Sequence, residues 1–129
     1  MYLVGLEVTE RPAFYALAKH MAEADDGILA EEQELLDLFK KELGLQGEPS
    51  DMSVEAACHA FLSPEAKRLA LLELLLLAYS DGQIGPNETV LLERVAKIFG
   101  IGHEQLVTAQ VWAQGMNALN RSGLRFIRG

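Results

Sequence analysis

The sequence predicts an all-α protein, a pseudo-symmetric helical bundle of about six to seven helices built on two repeated helical hairpins. Three observations predict it. First, residues 16–45, ALAKHMAEADDGILAEEQELLDLFKKELGL, align without a gap on residues 72–101, LELLLLAYSDGQIGPNETVLLERVAKIFGI. That single offset pairs Ala22 with Ala78, Asp25 with Asp81, Ile28 with Ile84 and Glu32 with Glu88. It also pairs Leu35 and Leu36 with Leu91 and Leu92, Lys41 with Lys97, and Gly44 with Gly100. Second, helix-starting and helix-stopping residues punctuate the chain at matching places in both copies. Third, no segment sustains the period-two alternation of a half-buried strand.

The elements follow in order. Pro12 in a first turn, with Thr9 as a candidate cap, opens a helix to about Ala24, whose Phe14, Leu17, Ala18 and Met21 recur at helical spacing. Asp25-Asp26-Gly27 ends it, because glycine readily takes the positive φ of a helix stop. A second helix covers about Ala30–Leu43, with Glu31, Glu32 and Glu34 early and Lys40 and Lys41 late, matching the helix dipole. Gly44 stops it, and a loop with Gly47 and Pro49 follows. Ser53 is placed to cap a short helix of about Val54–Leu62. Ser63-Pro64-Glu65 then starts a long helix to about Tyr79: a cap, a proline at the first position and an acid in the first turn. Ser80-Asp81-Gly82 turns the chain, and Pro86 opens a helix that ends near Phe99, before Gly100 and Gly102. A last helix is expected over Glu104–Leu119, after which Leu124, Phe126 and Ile127 either dock back or leave the end loose.

A chain of 129 residues, half of them apolar, fits one domain spanning 1–129, with hairpins at about 12–45 and 64–101. The net charge is −8, unevenly placed: residues 1–64 carry 13 acids and 4 bases, residues 65–129 carry 6 acids and 7 bases. Nucleic-acid affinity comes largely from Lys and Arg at phosphates, so this balance argues against a nucleic-acid partner and toward cations or basic protein surfaces. One cysteine, Cys58, leaves no intrachain disulfide and fits a reducing compartment. The apolar start MYLVGLEVTE lacks a basic region, and the longest apolar run, Leu74–Tyr79, is far short of a membrane span of ~20 residues. The expected location is therefore cytoplasmic, with no membrane span.

The repeated turns carry the polar chemistry. Asp81-Gly82-Gln83-Ile84 with Glu88 matches the back half of a calcium loop, where the last Glu binds through both oxygens. The front half fails: its first ligand positions are Leu77 and Tyr79 here, and Ala22 and Ala24 in the first copy, which closes on Gln33. An EF-hand is thereby rejected.

A different family fits. The segment LLLLAYSDGQIGPNETVLLERVAKIFGI, with EADDGILAEEQELLDLFKKELGL as its counterpart, resembles the TerB-like family of tellurite-resistance-associated helical domains. The likeness covers about residues 14–101. It implies an all-α fold of roughly seven helices, a cytoplasmic place in bacterial stress and tellurite-resistance systems, and binding of a divalent metal through acidic residues. Carried over by position, those residues are Asp25, Glu32, Asp81 and Glu88, with Asp26 adding a second acid to the first turn. The copies are not identical: Gly27 falls one place later than Gly82, and Asn87 stands where the first copy has Glu31.

A purely structural role competes with this. Asp before Gly often bonds its own backbone, and Glu at a helix start often reaches back to free amides. Other candidates are weaker. Glu73, inside a leucine run, is expected on an exposed edge of its helix. His20 is expected at the surface. Cys58 and His59 are helix neighbours, which point about 100° apart and chelate poorly. His103-Glu104 lacks the second histidine of a metalloprotease motif, since Val107 stands there. With no Walker A loop and no nucleophile elbow, no enzyme is expected. The sequence thus predicts a non-catalytic module that binds a divalent cation of unknown identity and no organic cofactor. The alternative is a metal-free protein–protein interaction scaffold in a stress-response complex, docking through the acidic Glu31, Glu32 and Glu34 or the basic Arg121, Arg125 and Arg128. Partner and oligomeric state are left open by the sequence.

Overall fold

The computed structural model describes residues 3–25, 27–28, 30–47, 51–80 and 84–129. After a 3-10 turn at Leu3–Gly5 come six helices: α1 Glu10–Glu23, α2 Ala30–Leu43, α3 Val54–His59, α4 Pro64–Ala78, α5 Pro86–Phe99 and α6 His103–Arg128. No strand occurs among the described residues, and no helix there is long and apolar enough to cross a membrane.

Helix α1 packs on α2, α3 and α4, and α4 packs on α5 and α6. The first helices of the two hairpins therefore meet, and the core forms around them. Phe14, Ala18, Leu74 and Leu77 are all fully buried. The predicted apolar stripe Phe14, Leu17, Ala18 and Met21 lies inside, as expected. Edge-to-face aromatic pairs add to the core: Phe14 with Phe39 inside the first hairpin at 5.4 Å, and Phe61, between α3 and α4, with Phe99 of α5 at 5.6 Å. Short α3 bridges the copies, packing on both α1 and α5, and its Glu55 pairs with Arg94 of α5 at the surface.

Local chemistry explains the ends. Ser53 and Ser63 accept from Ala56 N and Ala66 N at 3.1 and 3.0 Å, capping α3 and α4 as predicted. Both repeated helices stop in one way. Gly44 and Gly100 take φ values of +69° and +72°. Leu45 N then donates to Lys40 O, and Ile101 N to Ala96 O, while each glycine N–H bonds the residue three before it. These bonds satisfy carbonyls that a helix end leaves open. Gly27, at φ +101°, lies in the first turn as expected.

Four expectations are corrected. Thr9 does not cap α1: its side chain makes no capping bond, and instead Glu10, itself buried, accepts from Glu7 N at 2.8 Å. Helix α3 stops at His59, three residues early. Glu73 is not at an edge but 1% exposed, because α4 is covered by α1, α5 and α6 and leaves little of its surface in water. The chain's end neither docks back nor hangs loose; α6 continues through Leu119 to Arg128 because Asn120-Arg121-Ser122-Gly123 contains no proline and nothing else that must break a helix.

Candidate functional site

The two hairpins meet at the start of α5. That helix opens Gly85-Pro86-Asn87-Glu88, with a glycine where α3 and α4 carry a capping serine. Glycine supplies no side-chain oxygen for the free amides of the first turn. Two carboxylates supply them instead. Glu88 reaches back, its Oε1 accepting from Gly85 N at 3.0 Å. Asp25, from the first turn 62 residues earlier, crosses over, and its Oδ1 accepts a long bond of 3.4 Å from Asn87 N.

Gly85 makes this crossing possible. A Cβ on Gly85 would lie 2.7 Å from Asp25 Cγ and collide with Asp25 Oδ2, while Glu88 Oε1 would be 3.2 Å away. The missing side chain is the space the Asp25 carboxyl fills, so two acids from different copies sit on one side of one glycine. Both are drawn to the positive end of α5. Asp25 Oδ2 is buried and finds no hydrogen-bond partner among the described residues. A buried carboxylate oxygen without a donor is costly and is the kind of atom a cation would satisfy.

The remaining predicted residues fall as follows. Glu32 is buried in the first turn of α2, 5% exposed, as its counterpart Glu88 is at 8%. Asp26 and Asp81 lie outside the described residues. Arg121 of α6 donates to Ser80 O at 3.0 Å, which brings a cation of the chain itself to the residue before Asp81. Among the described residues no three His, Cys, Asp or Glu side chains gather as a ready ion cage. His20 is at the surface, as expected, and its Nε2 lies 2.7 Å from Met52 O. Cys58 is buried, and burial pushes its thiol up to about 11, so it is a poor thiolate ligand or nucleophile at neutral pH. His59, one position on, is exposed. The donor set at the meeting point is therefore carboxylate oxygen, which suits hard cations such as Mg²⁺, Ca²⁺ or Mn²⁺.

Sequence reading singled out the acids but missed Gly85. The signal was present: a Gly-Pro helix start, where the first copy has Leu29-Ala30.

Comparison with known proteins adds the family. A family model described as tellurite resistance protein TerB matches residues 48–111. The match takes in α3, α4, α5 and the first part of α6, with Asp81 and Glu88, and leaves out the hairpin that holds Asp25 and Glu32. No curated protein and no solved structure matches the chain. On the strength of residues 48–111, with the Asp-Gly-Gln-Ile turn and the Glu88 helix start within them, the chain belongs to a TerB-like family of tellurite-resistance-associated modules.

Proposed function

We propose that this chain is a non-catalytic, cytoplasmic TerB-like module of a stress-response system, and that it holds a divalent cation where the acidic turn of one hairpin meets the helix start of the other. The observation that carries the reading is the convergence of Asp25 and Glu88 on Gly85. Two carboxylates about 4 Å apart repel by roughly 1 to 4 kcal/mol, depending on the local dielectric. A cation between them turns that repulsion into binding energy. Among the described residues Asp25 and Glu88 would be its ligands, and Glu32, Asp26 and Asp81 are the further acids of the two hairpins. The ion would supply charge neutralisation and would tie the hairpins together.

The test is isothermal calorimetry and thermal melting with Mg²⁺, Ca²⁺, Mn²⁺ and Zn²⁺ in turn, on the full chain and on Asp25→Asn and Asp81→Asn. A hard cation raises the melting temperature of the wild type, and Asp25→Asn weakens its binding at least about tenfold. Identical melting with and without every ion overturns the reading.

A second reading is the metal-free docking scaffold. It is favoured by the exposure of Glu31, Glu34 and Asp37 along α2. Glu32, being buried, is not part of that surface. Reversing Glu31 and Glu34 to Lys then releases a bound protein from pull-down while leaving cation binding intact. Retention of every bound protein removes the acidic face of α2 as its docking surface.

A further inference from the structure

Helix α6 leaves the body before it ends. Asn117 donates to Leu76 O at the end of α4 and Arg121 to Ser80 O just beyond it. Past Arg121 every residue is exposed. Yet this stretch is not polar: Leu124 is 48%, Phe126 87% and Ile127 78% exposed, and Leu119 just before it 70%.

Their spacing is ordered. Ala109, Trp112, Met116, Leu119, Gly123 and Phe126 follow one another in steps of three, four, three, four and three. That is the seam of a coiled coil, about 25 Å long at 1.5 Å per residue. The seam begins in the body. Ala109 and Trp112 line a largely apolar groove of about 580 Å³ between α4 and α6, with Leu71, Leu72 and Ile101. It then runs without a break onto the exposed end.

We propose that α6 pairs antiparallel with α6 of a second copy of this chain. Antiparallel pairing sets Phe126 on Ala109, Gly123 on Trp112 and Leu119 on Met116 of the other copy. Each contact joins a large residue to a small one, or two of middle size. Parallel pairing would set Trp112 on Trp112, Phe126 on Phe126 and glycine on glycine, which leaves clashes beside voids. Charge selects the same arrangement. From Gln105 to the end there is no acid and three arginines, on a chain of net −8. Parallel helices would bring the six arginines of two tails to one end of the pair, whereas the antiparallel pair puts three at each end. The polar arc of the tail, with Arg121, Arg125 and Arg128, lies opposite the seam. An anionic lipid surface would also take a basic amphipathic helix, but the acidic body opposes that approach.

The test is sedimentation of the full chain across roughly 1 to 300 μM. A reversible dimer is expected. Gly123→Trp is the sharp variant, because nothing lies within 4 Å of a Cβ there and the single chain accommodates it. It weakens the dimer at least about tenfold with helicity unchanged, and adding Trp112→Ala restores pairing. Nonspecific apolar adhesion would instead be strengthened by the added tryptophan. In a mixture of Met116→Cys and Leu119→Cys chains, the mixed disulfide exceeds both self-disulfides. The proposal is overturned by a chain that stays monomeric throughout, by a dimer that Gly123→Trp tightens, or by self-disulfides in place of the mixed one. A monomer captured by phosphatidylserine vesicles would assign the tail to a membrane surface instead.

Discussion

The two hairpins end alike and begin differently. Gly44 and Gly100 close α2 and α5 with the same left-handed residue and the same pair of backbone bonds. Leu36 and Leu92, paired by the repeat, are both within 1% of complete burial. The first helices, which pack on one another, have traded bulk at equivalent positions: Phe14 answers to Ala70, and Ala18 to Leu74, all four fully buried. Such an exchange keeps the summed side-chain volume of the core roughly constant, which close packing favours. The helix starts diverge more. Gly85 lets Asp25 come in from the other copy, while the first copy has Leu29 in its place. The lesson is that the matched parts that only close a helix are alike, and the parts that touch the other hairpin differ.

The widest consequence of the shared core is reached with matched truncations. Leu36→Ala and Leu92→Ala each lower unfolding free energy by about 2–5 kcal/mol, measured by urea denaturation. Similar losses would show that both hairpins belong to one cooperative core. A loss confined to one of them would break the comparison, making the other hairpin an appendage.

Smaller and more specific is the junction at Gly85. Gly85→Ala places a methyl group where the Asp25 carboxyl lies, so Asp25 must swing away from α5. The expected cost is about 1–2 kcal/mol, from a lost cap across the hairpins. In an Asp25→Ala background the same change costs little, because the space is already vacated and alanine is the better residue in the unfolded-state balance. The coupling in that double-mutant cycle reports the contact. Additivity of the two substitutions would mean that Asp25 and Gly85 are neighbours without consequence.

Much of this was legible in the residues. The helix boundaries at Ala30, Leu43, Pro64, Pro86 and Phe99 were, because serine caps, Pro at a first position and Gly stops act within one turn. The acids Asp25 and Glu88 were legible as a repeated pattern, but their meeting was not. No local rule says which end of a bundle a turn will share with a helix start 62 residues away. Glu73 was misplaced for a related reason: beyond Arg68 it is the one polar residue of α4, and the side that would have been an edge is closed by other helices. The length of α6 was missed because Asn120, Ser122 and Gly123 are weak helix formers and the end is not buried, so neither signal marks the continuation. Polar and apolar residues alternate there with a period that suits a partner outside the chain.

The smallest expected effect concerns the one feature both copies kept. Gly44→Ala and Gly100→Ala each force a Cβ into the left-handed region, where an L side chain meets its own backbone. No other atom lies within 4 Å of that Cβ at either position, so no collision with the surroundings adds to the cost. The loss is therefore conformational alone, about 1 kcal/mol at each site, and nearly equal in the two hairpins by thermal or urea unfolding. Equality here is informative because the surroundings differ: Gly44 leads into the loop toward α3, while Gly100 leads straight into α6 through Ile101 and Gly102. A distinctly larger loss at Gly100 would show that this stop does more than end α5. It would mean that the stop also sets the direction in which α6 leaves, and with it the alignment of Trp112 beside α4.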